Sequence, residues 1–336
     1  QRAGKAEVLR WNEAKFSSAL NSNRDPEKPN MCGIACILDP RGHAGVLRDR
    51  ALRMARRVRH RGPDWSGVWI GDHAVLAHER LAIVGVDSGE QPLQSPDGAL
   101  ILAVNGEIYN HQELRSQHAP QEPCLTGSDC EVLLPLYREL GPAFIEQLNG
   151  IFAFVLHDSR DGHSLIARDP IGIIPLYMGW DRDGRLHVAS EMKALLDHCE
   201  SIEEFPPGHV FDTRESAPRR YYHRAWQDAT AITEPGPGPA ELREGLEAAV
   251  RRQLMSDVPY GLLLSGGLDS SVVAACAIRH ARGRVEDDEK TEAWWPRVHS
   301  YAIGLEGSPD LAAAAVAAKA LGTVHHGFTY TLDQGL

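Results

Sequence analysis

The sequence predicts two architectures in series: a sheet-rich α+β domain, then the start of an α/β domain built on a parallel sheet. Three observations predict this. Between Cys32 and Ala189, short apolar strand patterns far outnumber helical ones. The composition then breaks at Glu234-Pro235-Gly236-Pro237-Gly238-Pro239, a linker or domain seam. Beyond the seam strand and helix alternate, which is βαβ order.

Taken in order, residues 1–30 look foreign to the rest of the chain. They are polar and Pro-containing toward Asn30, lack an apolar h-region, and carry too many acids for a transit peptide. A disordered extension or propeptide is expected over 1–31. Cys32–Leu38 is a continuous apolar run, read as a buried strand. Leu47, Ala51, Met54, Ala55 and Val58 fall at helical spacing, with Arg48, Arg50, Arg53, Arg56 and Arg57 on the wet face. Arg61-Gly62-Pro63-Asp64 closes that helix. Strands are expected at 67–70, 74–77 and 100–104, then a helix at 129–140, and strands at 152–156, 164–167, 176–179 and 186–189. The first domain is bounded at 32–220 and a linker at 221–240. In the second part, 241–336, Leu242, Leu246, Ala249, Val250 and Leu254 mark a helix. Strands are expected at 260–264, 300–303 and 324–328, and a helix at 270–281. Ser308-Pro309-Asp310 supplies a cap and an N1 proline for another. Arg282–Arg297 is charged and reads as a surface insertion.

Composition narrows the function classes. With 336 residues there is room for two cores. A formal net charge of -11 argues against nucleic acid as the main partner, because phosphate binding needs a basic field. No apolar run is long enough to cross a membrane. The six cysteines, 32, 36, 124, 130, 199 and 276, form no C-x-x-C pair and have no zinc-spaced histidine, so a reducing, cytoplasmic setting is expected.

Several stretches carry chemistry. Met31-Cys32 is an initiator pair whose cleavage would leave Cys32 as first residue, with a thiol nucleophile and an α-amine base on one residue. Read alone, Cys32 is better taken as a buried core cysteine opening an apolar strand. Asn105-Gly106 reads alone as a turn, Asp129 as a helix cap, and Arg80 as a surface ion pair. Ser265-Gly266-Gly267-Leu268-Asp269-Ser270-Ser271 is sharper. It comes after an apolar strand and opens a helix, where glycine backbone, hydroxyls and exposed N–H groups suit an oxyanion. It lacks the lysine of a Walker loop.

The order MCGI, RHRGPD, HERLAI, NGEIYN, TGSDCE, SEMKAL and then SGGLDSS resembles the glutamine-dependent asparagine synthetases of the bacterial B type. That family joins a class II glutamine amidotransferase domain to an ATP pyrophosphatase-type synthetase domain. The resemblance runs from Met31 to the end of the chain and includes GIIPLYMG and EAWWP. It implies an N-terminal-nucleophile hydrolase of stacked antiparallel sheets with helices. It also implies Cys32 as nucleophile, with Asn105 and Gly106 forming an oxyanion hole. Arg80, Ile83, Val84, Asn105, Gly106, Glu107 and Asp129 would bind glutamine. Leu264, Ser265, Gly266, Gly267, Asp269, Ser270 and Ile303 would bind ATP. Mg²⁺ is implied as arriving with ATP, with Asp269 as candidate contact. No other metal and no tightly bound prosthetic group is implied. Aspartate is the acceptor, and a homodimer is expected of the full-length form.

Two departures shape the expectation. With residues 1–30 attached, Cys32 has no free α-amine, so the unprocessed chain is expected to be without glutaminase activity. The sequence also stops a few strands into the nucleotide domain, so a fragment of a longer protein is expected. A stand-alone glutaminase and a non-catalytic partner of a full-length synthetase are the alternatives.

Overall fold

The computed structural model describes residues 31–39, 41, 47–224, 230, 236, 238–281 and 297–335. The extension at 1–30 lies outside these, as does the charged insertion apart from Arg297.

The first strand, β1 (Gly33–Leu38), is buried at every residue. A strand can be apolar on both faces only where both faces are covered. Ala35 and Ile37 meet Ala51 and Met54 of helix α1 (Arg48–Arg57) and its C-cap residue Val58. Ile34, Cys36 and Leu38 face a second sheet through Ile101, Ala103, Ala153 and Val155. The expected arginine face of α1 points outward, and Arg50 reaches Asp181 at 2.7 Å.

Two six-stranded antiparallel sheets result. The first contains β1, β2 (Trp65–Ile70), β3 (Ala74–Arg80), β8 (Tyr177–Trp180), β9 (Leu186–Ala189) and β10 (Ser201–Glu204), in the order β10-β8-β9-β1-β3-β2. The second contains β4 (Leu93–Gln94), β5 (Leu100–Ile108), β6 (Gly150–Asp158), β7 (His163–Arg168), β11 (His209–Asp212) and β12 (Arg219–Arg220), in the order β12-β11-β7-β6-β5-β4. Its outer face packs Leu102, Val104, Phe152 and Phe154 against helix α3 (Leu133–Leu140) and Phe144, with α2 (His111–His118) contributing Leu114. The layers are therefore helix, sheet, sheet, helix.

Three elements that position the site differ from expectation. Strand β5 does not stop at Val104. It continues through Asn105 and Gly106, which pair with Ala153 and Phe152 of β6, so Asn105-Gly106 is not a turn. Glycine is needed at 106 for a different reason: φ is +148°, and a Cβ there would stand 2.0 Å from the Ile151 carbonyl oxygen. The helix expected over 129–140 begins as a 3₁₀ turn, Asp129–Val132, and no side chain caps it. Asp129 is not a cap, because its carboxylate bonds a neighbouring strand instead. Strand β3 extends to Arg80, which carries that side chain to the mouth of the sandwich.

Within the stretch 221–240, the Tyr221 and Tyr222 N–H groups both donate to Gly208 O at 2.9 and 3.3 Å, so these residues sit on the first domain. Pro239 opens helix α4 (Pro239–Arg252), whose apolar stripe is in place but carries exposed Leu242 and Leu246. Then come β13 (Gly261–Leu263), α5 (Leu268–His280), β14 (His299–Leu305), α6 (Pro309–Leu321), β15 (Val324–Tyr330) and a final turn, α7 (Leu332–Gly335). The strands form a parallel sheet in the order β13-β14-β15. Ser308 Oγ accepts from Asp310 N–H and caps α6. Among the described residues no helix is long and apolar enough to cross a membrane.

Candidate active site

Cys32 stands immediately before β1, where β1 and β3 both approach β5. Its thiol donates to Leu81 O at 3.5 Å and accepts from Leu81 N–H at 3.3 Å. Arg61 Nε donates to Cys32 O at 2.9 Å, and its Nη1 donates to Glu191 at 3.0 Å, so the nucleophile's backbone is fixed from the loop after α1. Burial pushes the Cys32 thiol up to about 11; the Glu107 charge adds to this, while Leu81 N–H, Arg80 and Arg61 oppose it. A side chain at that value is a thiol at neutral pH, so nucleophilic attack needs a base beside it.

The two sheets are pinned together just behind this point. His78, on β3, is fully buried, and its Nε2 lies 2.8 Å from Val104 O on β5. A carbonyl only accepts, so Nε2 carries the proton, and burial lowers the imidazole's pKa to about 4. This bond sets the height of Asn105, Gly106 and Glu107 relative to Cys32.

Those three residues supply what the site lacks internally. Asn105 is buried, and its Nδ2 has no hydrogen-bond partner among the described residues. Glu107 Oε2 is likewise buried and unpartnered. Native interiors rarely leave such atoms orphaned, and a donor and an acceptor orphaned along one strand edge mark a place for a polar ligand. Asp129 is buried and accepts Ile108 N–H at 2.6 Å, which sets it beside Glu107. Burial first, then the Asp129 charge, raises Glu107 well above the ordinary carboxylate range; burial also raises Asp129. Two carboxyls sharing a dry site each disfavour the other's charged form.

Arg80 closes the other side. Its guanidinium donates to Gly85 O at 2.7 Å, Val84 O at 3.2 Å and Val86 O at 3.4 Å, which uses three of its five N–H donors. Ile83 and Val84 are half-buried in this loop. The first-domain residues expected from the sequence are thus together. Arg61, His78 and Glu191 also build the site but were not assigned from sequence. Cys130, whose thiol donates to Gly106 O at 3.3 Å, was not assigned either.

In the second domain, Ser265 and Ser270 hydroxyls lie 3.0 Å apart at the N-terminus of α5. They line a cleft of about 750 Å³ with Leu264, Ile303, Tyr301 and Phe328. Gly267 is the N-cap of α5, and Gly266 backs onto Ala313 and Ala314 of α6. The Leu264 side chain is buried with Ala274 and Ala318, whereas Ile303 is 71% exposed. Asp269 is exposed on the first turn of α5. Among the described residues, the only three groups close enough to share a metal ion are Asp158, Asp161 and His163, in the first domain. There Arg160 pairs with Asp158, and Tyr137 OH contacts His163 Nε2 at 2.7 Å.

The helix–sheet–sheet–helix sandwich is a fold that two solved structures share. One is the allosteric regulatory enzyme of purine biosynthesis (17% identical, 88% of this chain and 80% of that chain, TM-score 0.50). The other is the glutamine phosphoribosylpyrophosphate amidotransferase of B. subtilis (16% identical, 89% and 91%, TM-score 0.50). A model of the glutamine amidotransferase domain matches residues 31–216, and the chain belongs to that family. An asparagine synthase model matches residues 241–336. The chain is 53% identical to asparagine synthetase B [glutamine-hydrolyzing] of Escherichia coli, over 91% of this chain and 55% of the relative. It is 48% identical to asparagine synthetase [glutamine-hydrolyzing] 1 of Lotus japonicus, over 91% and 51%. The chain spans about half the length of the curated relatives it matches.

Proposed function

We propose that this chain hydrolyses glutamine at Cys32 and belongs to a machine that passes the released ammonia to an ATP-activated aspartate, making asparagine. The observation that carries the first half is the Asn105 Nδ2 donor, buried beside Gly106 on β5 without an acceptor among the described residues. A preorganised donor that stabilises nothing in the resting protein is suited to an oxyanion that forms only during reaction.

In this reading the Cys32 sulfur attacks the side-chain amide carbon of glutamine, and Asn105 Nδ2 and Gly106 N–H take the oxyanion. The tetrahedral intermediate collapses to a γ-glutamyl thioester and ammonia. Water then attacks the thioester, releasing glutamate and regenerating the thiol. Arg80 holds the substrate α-carboxylate through its charge and the N–H donors that the loop carbonyls leave free. Asp129 and Glu107 seat the α-ammonium, and Ile83 and Val84 line the same pocket. The base is the α-amine of Cys32, so the Met31–Cys32 bond must be cut before the site works.

The second half rests on the asparagine synthase match and on the loop geometry. The Ser265–Ser270 turn and the α5 N-terminus suit a pyrophosphate, with Gly266 and Gly267 allowing close approach. Leu264 and Ile303 flank the base, and Asp269 would be the side chain to contact Mg²⁺ brought with ATP. The aspartate side-chain carboxylate attacks the α-phosphate and expels pyrophosphate. Ammonia then displaces AMP from β-aspartyl-AMP. Six free cysteines fit a reducing, cytoplasmic setting, and a homodimer is the expected assembly. The relatives' names do not favour a stand-alone glutaminase. The test is transfer of label from amide-¹⁵N glutamine to asparagine with ATP and aspartate. Labelled ammonia without labelled asparagine would restrict the function to hydrolysis.

A further inference from the structure

The loop that holds Arg80 is tied to the second domain. Asp257 lies between α4 and β13, on the approach to the phosphate loop. Its Oδ2 accepts Gly85 N–H at 2.8 Å, and its own N–H donates to Ile83 O at 2.9 Å. One bond accepted and one donated, to residues two apart, form a strand-like clamp that fixes both the position and the direction of the loop.

The clamped loop reaches both arms of the glutamine seat. Gly85 O accepts Arg80 Nη2 at 2.7 Å, and the neighbouring Val84 O accepts it at 3.2 Å. On its other side Gly85 lies against the Gly127–Ser128 peptide, just ahead of Asp129. A Cβ at Gly85 would stand 2.6 Å from the Gly127 carbonyl carbon. Ser88 Oγ, in the same loop, accepts Gly127 N–H at 2.8 Å. A shift of this loop therefore moves the guanidinium and the segment that leads to the ammonium seat together. The Asp257 charge also adds to the negative field at Glu107.

We infer that Asp257 is a positioning residue for glutamine: a second-domain side chain that sets the 83–85 loop, and through it Arg80, in the geometry that grips the substrate. It touches neither substrate nor reacting atoms. The inference rests on the proposed glutamine hydrolysis and adds to it that glutamine affinity depends on the second domain being in place against the first.

The test is glutamate release against glutamine concentration, using the full chain cut at the Met31–Cys32 bond, for the parent, Asp257→Ala and Asp257→Asn. Asp257→Ala removes the acceptor of a charge-assisted bond and is expected to raise KM for glutamine roughly tenfold, about 1.4 kcal/mol, with kcat changed by less than about twofold. Asp257→Asn keeps a side-chain oxygen for Gly85 N–H and is expected to restore KM. A residue that merely stabilises the fold would lower the melting temperature or kcat without this split, and that outcome overturns the inference. So does an Asp257→Ala protein whose KM stays within about twofold of an active parent; the glutamine reading then survives. A cut parent that releases no glutamate sinks the glutamine reading, and the inference with it.

Discussion

Replacing Asn105 by alanine should cost activity and almost no stability. The Asn105 amide is buried with Nδ2 unpartnered, and an unsatisfied buried donor costs about 1–3 kcal/mol in the folded state. Truncation removes that cost while losing a similar amount of packing, so the net change should stay within about 1 kcal/mol. For a domain of this size that is roughly 2–4 °C in melting temperature. The lost oxyanion donor, by contrast, should lower kcat about 10²–10³-fold, or about 2.7–4 kcal/mol of transition-state stabilisation. The assay pairs thermal denaturation with glutamate release by the protein cut at Met31–Cys32. A protein destabilised by more than about 3 kcal/mol whose kcat falls less than about fivefold would refute the reasoning, since Asn105 would then be structural.

Glu107 makes stability and glutamine affinity respond to pH in opposite directions. Its folded pKa is raised, chiefly by burial. The native state therefore binds more protons than the unfolded state, and stability should fall as pH rises from the ordinary value of 4.5 through the raised one. Glu107→Gln should flatten that slope in urea titrations. Glutamine should bind more tightly as Glu107 ionises, with proton release visible as a buffer-dependent binding enthalpy that vanishes in Glu107→Gln. Gly106→Ala should destabilise by at least about 3 kcal/mol, because φ strain adds to a Cβ clash with the β6 backbone; a soluble variant with an unchanged melting temperature would contradict this. Ser265→Ala and Ser270→Ala should each weaken ATP binding several-fold, measured by equilibrium titration, and leave glutamate release unchanged.

Much of this architecture is legible in the chain. β1 reads as buried on both faces because it is continuously apolar, and α1 because its apolar residues recur at helical spacing against an arginine face. Other elements leave no such trace. β10 is Ser201-Ile202-Glu203-Glu204, an exposed edge strand held by its pairing with β8 rather than by any apolar alternation. α2 buries a single leucine, Leu114, and β4 and β12 are two residues each. In the site, Cys32, Arg80, Asn105, Glu107 and Asp129 stand out because each sits in a distinctive short motif. Arg61 and Glu191 also sit in short motifs, RHRGPD and SEMKAL, but their roles, like that of Asp257, exist only across the fold: Arg61 meets Glu191 over 130 positions, and Asp257 meets Gly85 over 172. Local pattern also misleads. Asn-Gly signals a turn, yet here glycine admits a neighbouring strand and asparagine buries an amide with no partner among the described residues.

The central claim is that Cys32 becomes the nucleophile once it is the first residue. The most direct measurement is peptide mass spectrometry after acid quench of the cut protein turning over glutamine. A γ-glutamyl adduct on the peptide beginning at Cys32 is expected. The adduct should be absent from the uncut chain and from Cys32→Ala, and so should glutamate release. Glutamate released at an undiminished rate by the uncut chain or by Cys32→Ala would contradict the account.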